Sequence, residues 1–265
     1  MTALRDATVV LVHSSGLGPG MWRAYAASVA PDFELVTPAL LGYPPAPALP
    51  PETEAGTADV ARVCELILSL PGRTHLVGHS YGGFVAASVA LALPEKIASV
   101  ALLEPVMFGA LRLSADPEAA AELRWFDEHP WFLDERRGGT PEWLELFVDY
   151  WNGPGAWRAL SPAQQAPFLA AGAKVFREVC SVSHDARPFA DYRLAAPLLL
   201  MRGGGSTVAA RRIVDHLHAA NPEARLVEVA AAGHLFPVTH RRAVVPELLA
   251  HWREAELPGD TSAAR

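Results

Sequence analysis

Short apolar runs alternate with longer stretches of helical periodicity along this chain. Six runs stand out: Thr8–Val12, Phe33–Val36, His75–Val77, Ile97–Leu103, Pro197–Met201 and Arg225–Val229. Their continuous apolar character predicts strands buried on both faces, as in a parallel sheet. Helices are predicted between and after them. They cover Thr53–Leu70, stopped by Pro71-Gly72; Ser80–Leu93, stopped by Pro94; Val208–Ala220; and Arg241–Ala255. Strand and helix in alternation predict an α/β fold, a mostly parallel, doubly wound sheet of about six strands.

One segment breaks the alternation. Residues 105–195 contain no strand candidate but hold Trp125, Trp131, Trp143, Trp151 and Trp157, five of the seven tryptophans. Helices are predicted over Asp116–Asp127, Pro141–Tyr150 and Pro162–Cys180. The simplest division is a core of residues 1–104 and 196–265 with a helical insertion over 105–195. The ends, Met1–Asp6 and Leu257–Arg265, are expected to be poorly ordered.

Composition narrows the function classes. With 265 residues, 51% of them hydrophobic, the chain can bury a sizeable core. A net charge of −7 argues against a nucleic-acid partner, which would require clustered Lys and Arg. Cys64 and Cys180 are too few for a disulfide framework and sit among apolar or small residues, which predicts buried free thiols. The chain has no apolar h-region before Thr8 and no run approaching the roughly 18 residues of a membrane span, so the reduced cytoplasm is the expected compartment.

Gly78-His79-Ser80-Tyr81-Gly82-Gly83 contains G-x-S-x-G between a predicted strand and a predicted helix. That is the context of a nucleophile elbow, where a tight turn projects a serine hydroxyl above the sheet. Without that context the motif would be an ordinary glycine-rich turn. Serine needs a base to remove its proton. Of ten histidines, His234 is placed best, in Ala232-Gly233-His234-Leu235 just after the last strand. His216, His218, His240 and His251 fall on predicted helices and are expected to face solvent. His216 and His218, two apart, point to different helix faces and make no metal pair. After the first strand, His13-Ser14-Ser15-Gly16-Leu17-Gly18 can aim the Ser15 N–H at a developing oxyanion, with the N–H of Tyr81 as second donor. No metal or cofactor is called for.

Together these residues resemble the α/β-hydrolase superfamily over nearly the whole chain. His13-Ser14-Ser15-Gly16 is similar to its H-G-x-G oxyanion turn, with Ser14 at a usual glycine; Gly78–Gly83 resembles its elbow; Gly233-His234 resembles its base. The resemblance implies a serine-hydrolase core with a helical cap over residues 105–195. It also implies that the family's first two strands are missing, since seven residues precede Thr8. At the acid the sequence departs from the family. The usual G-x-x-D turn reads Gly203-Gly204-Gly205-Ser206, with serine where aspartate is expected. Either another acid orients His234 or none does. Glu104, ending Leu102-Leu103-Glu104-Pro105, is the best substitute, since some haloalkane dehalogenases and lipases place their acid there. A serine nucleophile disfavours dehalogenase and epoxide-hydrolase chemistry, which uses a carboxylate.

The expected activity is hydrolysis of a carboxylic ester, lactone or thioester of a small hydrophobic substrate through Ser80, His234 and Glu104. Ser14, Trp125, Trp131, Trp151 and Leu235 are expected to contact substrate, although most cap aromatics should simply pack the cap. Two other readings stand beside this one. The same residues could serve carbon–carbon bond hydrolysis, acyl transfer or cyclisation, or the pocket could bind a ligand without turnover. The sequence leaves the oligomeric state open.

Overall fold

The computed structural model describes residues 8–29 and 32–257. Six strands are found there: β1 Thr8–Val12, β2 Glu34–Val36, β3 Thr74–His79, β4 Ile97–Leu103, β5 Leu198–Gly203 and β6 Arg225–Val229. They form one sheet in the order β2-β1-β3-β4-β5-β6, every pairing parallel. The helices, in chain order, are α1 Ala26–Val29, α2 Ala55–Ser69, α3 Tyr81–Ala92, α4 Phe108–Ser114, α5 Ala120–Glu128, α6 Pro141–Asn152, α7 Ala156–Ala159, α8 Pro162–His184, α9 Val208–Ala220, α10 Phe236–Thr239 and α11 Arg241–Glu256.

The inner strands are mostly apolar because alternate side chains enter two different cores, whereas the edge strands β2 and β6 carry Glu34, Arg225 and Glu228. Val10, Val12, Leu76, Val100, Leu102 and Leu200 face the layer containing α2, α3 and α9. Val9, Leu11, Val77, Ala101, Leu103 and Met201 face the layer containing α11 and the Pro19–Tyr25 turn, where Trp22, Leu248 and Trp252 are fully buried. Helix ends follow local chemistry. Glu54 caps α2 by accepting from Gly56 N and Thr57 N, and Ser161 with Gln164 forms a capping box on α8.

Between β4 and β5 the chain runs through helices alone, α4 to α8 and three-residue or four-residue 3₁₀ turns. Several expectations need correction. His251 does not face solvent; it is buried on α11 and donates from Nε2 to Val100 O at 2.9 Å. His216 and His218 are half-buried, and His216 bonds Asp116 while stacking on Phe189. These histidines turn inward to meet a strand carbonyl or polar groups of neighbouring loops. Cys64 and Cys180 are free, but half-buried. Apart from Leu257, the expected disordered ends lie outside the described residues, as does the segment ahead of Thr8.

The sheet register aligns the strand exits. Val12 pairs with Gly78, His79 with Leu103, Leu103 with Met201, and Gly203 with Val229. The loops leaving β1, β3, β4, β5 and β6 therefore gather at one edge, where ligands bind in open α/β sheets.

Candidate active site

Ser80 occupies the tight turn from β3 into α3. Its φ of 57° lies in the left-handed region, strained for a residue with a side chain. The turn is held by Ser80 N donating to Leu103 O at 3.1 Å and by Ser80 O accepting from Val106 N at 3.2 Å. Glycine is required on either side. A Cβ at Gly78 would lie 2.1 Å from Gly82 O, and one at Gly82 would lie 2.4 Å from Val12 O. In the first turn of α3, Gly83 N and Phe84 N donate to Ser80 O at 2.9 and 3.2 Å, so the serine caps the positive end of the helix.

His234 lies in the turn between β6 and α10. Its Nε2 is 2.9 Å from Ser80 Oγ, and its Nδ1 is 2.6 Å from Glu104 Oε2. These partners fit Nδ1–H donating to the carboxylate and Nε2 accepting from the hydroxyl. Glu104, fully buried with φ 43°, follows the last residue of β4. Its other oxygen accepts from Gly203 N at 2.6 Å, so the end of β5 fixes the carboxylate plane. Ser206, at the usual aspartate position, is buried, and its Oγ has no hydrogen-bond partner among the described residues. Beneath the His234 ring, His79 Nε2–H donates to His234 O at 2.9 Å. Burial, aided by the neighbouring His234, holds His79 well below the ordinary histidine range, so it serves as a neutral prop.

The loop after β1 is braced from below. His13 donates from Nδ1 to Ser14 O at 2.9 Å and accepts at Nε2 from Leu40 N at 3.1 Å. Burial lowers its pKa to about 4. Gly16 N donates to Tyr43 Oη at 2.9 Å, and Tyr43 donates to Glu178 at 2.9 Å. Glu178 shares Lys174 with Asp59, at 2.6 and 2.7 Å, and Asp59 accepts from Tyr81 Oη at 2.8 Å. A buried ionic network thus joins α2, α8, the β1 loop and the first residue of α3. The N–H groups of Ser15 and Tyr81 meet no acceptor among the described residues.

A cavity of about 300 Å³ opens over Ser80, Ser15 and Tyr81, walled mainly by Val106, Phe108, Phe126, Phe132, Phe147, Tyr150 and Trp151, with Glu178 and the Arg112–Asp127 ion pair (2.8 Å) also on its lining. A smaller hollow of about 30 Å³ adjoins it, bounded by Ser14, His79, Ser80, Trp151, His234 and Leu235 among others. Ser14, Trp151 and Leu235 border the small hollow, and Trp151 the larger cavity as well. Trp125 and Trp131 do not border either hollow. Trp125 stacks on His129, ring centroids 4.3 Å apart, and Trp131 lies under Arg137. In both Trp-Phe pairs the phenylalanine, Phe126 or Phe132, takes the cavity wall and the tryptophan turns away. Among the described residues no cluster of three or more His, Cys, Asp or Glu side chains could hold a metal ion, and no helix is long and apolar enough to cross a membrane.

The sequence matches a family model described as Alpha/beta hydrolase family over residues 9–247. The chain belongs to the alpha/beta hydrolase family. Among members of known activity, this alpha/beta hydrolase is 29% identical over 121 residues to the pimeloyl-[acyl-carrier protein] methyl ester esterase of Yersinia enterocolitica. That match covers 45% of the chain and 41% of the relative, so it spans under half of that protein's length. The esterase of the same name from Aeromonas hydrophila is 24% identical over 92% of the chain and 94% of its own length. Among solved structures, the 2-hydroxy-6-oxo-6-phenylhexa-2,4-dienoate hydrolase of Rhodococcus sp. strain RHA1 superposes with a TM-score of 0.65. It is 25% identical and covers 94% of this chain and 91% of its own.

Proposed function

We propose that this protein is a serine hydrolase that cleaves a carboxylic ester, or a related lactone or thioester, of a small hydrophobic acid. One observation carries the reading: Glu104, His234 and Ser80 form a continuous hydrogen-bonded line, 2.6 and 2.9 Å, ending at the floor of an apolar cavity. Ser80 Oγ attacks the carbonyl carbon as its proton passes to His234 Nε2, and Glu104 stabilises the imidazolium at Nδ1. The N–H groups of Ser15 and Tyr81 hold the oxyanion. Collapse breaks the C–O bond, and the alcohol leaves with the proton from Nε2. Water then attacks the acyl-enzyme, gives a proton to His234, and releases the acid and Ser80. Residues 105–195 act as the cap that excludes bulk water from this chemistry, and its phenylalanines favour an apolar acyl group.

The named activities of the Yersinia and Aeromonas relatives agree with ester cleavage. A second reading follows the Rhodococcus neighbour, whose named substrate contains no ester, so its hydrolysis breaks a carbon–carbon bond. The mainly apolar wall, whose Arg112 is already paired with Asp127 at 2.8 Å, supports the ester reading. A fluorophosphonate probe tests the reading: wild type is labelled at Ser80 and Ser80→Ala is not. Equal labelling of both would remove Ser80 from the mechanism.

A further inference from the structure

The two hollows that meet at Ser80 are unequal, and only the smaller has His234 in its wall. The 300 Å³ cavity is bounded by Ser80, Ser15 and the cap aromatics, without the base. The 30 Å³ hollow is bounded by Ser80 together with His79, His234 and Leu235. This asymmetry assigns the two halves of an ester. The departing alkoxide takes its proton from His234 Nε2, so it must lie within hydrogen-bond reach of that nitrogen. It therefore leaves through the small hollow, and the acyl group fills the large one. At about 30 Å³ the hollow is a tenth of the cavity beside it, so it takes the smaller half of the ester.

Phe168, on the first turns of α8, helps close this hollow. Its ring presses on the β1 loop so closely that a Cβ on Gly16 would lie 2.2 Å from Phe168 Cε1. Trp157 meets it edge to face, with centroids 6.1 Å apart. Phe168 is only half-buried, so removing its ring opens the hollow outward rather than into the core.

We propose that the enzyme selects esters of methanol or ethanol with a larger apolar acid, and that Phe168 sets the limit on alcohol size. The proposal rests on the serine-hydrolase reading. It adds that water can reach the acyl-enzyme only after the alcohol has left the same small hollow, so bulky alcohols fail as acceptors and hydrolysis is the outcome.

The test measures acid release from methyl, ethyl, butyl and benzyl hexanoate, and from methyl esters of acids from acetate to octanoate. In wild type, kcat/KM falls by about tenfold or more from methyl to butyl hexanoate, whereas hexanoate and octanoate methyl esters are both cleaved. Phe168→Ala raises turnover of the butyl ester and narrows the methyl preference, with Phe168→Leu between the two. Phosphonate labelling of each variant verifies that Ser80 is still assembled. Equal cleavage of methyl and benzyl hexanoate by wild type would overturn the proposal. So would an unchanged alcohol profile in a labelled Phe168→Ala. Absence of both labelling and acid release from every ester would instead overturn the hydrolase reading beneath it.

Discussion

The indole of Trp151 lies flat against the imidazole of His234, with ring centroids 3.9 Å apart and planes within 19°. The same indole borders the apolar cavity, the small hollow, and a polar cleft of about 470 Å³ edged by Gly205, Ser206 and Thr207. It therefore fixes the plane of the His234 ring and separates the cavity from the open side of the molecule.

Replacing Trp151 by Ala should free the imidazole to rotate and join the cavity to the cleft. A misplaced base costs rate steeply, so kcat is expected to fall by about one to two orders of magnitude. Trp151→Phe keeps a flat ring against His234 and should recover most of the loss. Steady-state kcat and KM on methyl hexanoate check this; a merely structural role for the indole would give no recovery by Phe beyond the recovery of folded protein.

Glu104 accepts from His234 and from Gly203 N with separate oxygens. Glu104→Gln keeps the volume but presents an amide where the imidazolium needs a negative charge. Turnover should drop by about 10³ to 10⁴ with KM little changed. Single-turnover acylation with a methyl ester measures it. A loss under about threefold would leave Glu104 as a structural buttress for β5.

The inner strands were legible because burial on both faces leaves mostly apolar runs, and the edge strands because their β-branched and leucine residues remain. Ser80 was legible because its turn demands glycine at fixed spacing, and His234 because it follows the final strand. Glu104 was reached through the resemblance to members of the fold that place their acid after this strand, because Ser206 stands at the usual acid position. The cavity wall was less legible. Trp125 and Phe126 are neighbours on one helix, about 100° apart in direction, and composition does not reveal which one faces inward. Helix α4 was missed because it is a seven-residue segment containing Gly109, whose missing side chain admits Asp185 O. The Asp59–Lys174–Glu178 network joins two distant helices, and its one local trace was the i, i+4 spacing of Lys174 and Glu178.

That network sets a stability prediction. Lys174 is nearly fully buried between two fully buried carboxylates, and burial raises the Asp59 pKa despite the nearby ammonium. Lys174→Met removes the sole cation of this trio and leaves like charges in a dry site. The expected cost is about 3–5 kcal/mol. Adding Asp59→Asn and Glu178→Gln removes the stranded charges and should restore much of that loss. Urea denaturation of the single and triple variants tests the sign; equal destabilisation would place the cost in packing rather than charge.

Acid should destabilise the fold well before its surface carboxylates are neutralised. Burial lowers the pKa of His13 and His75 to about 4, that of His79 well below the ordinary range, and that of His251 in the same direction. Unfolding returns each of them to about 6.5, so between that pH and about 4 the unfolded chain binds more protons than the folded one. Stability is therefore full above pH 6.5 and falls as pH falls, with each histidine adding up to about 1.4 kcal/mol per pH unit to the slope. Asp59, with its raised pKa, opposes the trend by one proton at most, and Asp116, lowered to about 2, stays ionised throughout the window. Urea midpoints measured from pH 7.5 to 4.5 should drop steadily, and His75→Gln, away from the Ser80 site, should flatten the slope by about one proton. A midpoint independent of pH over this range would mean that these histidines do not remain neutral inside the folded protein.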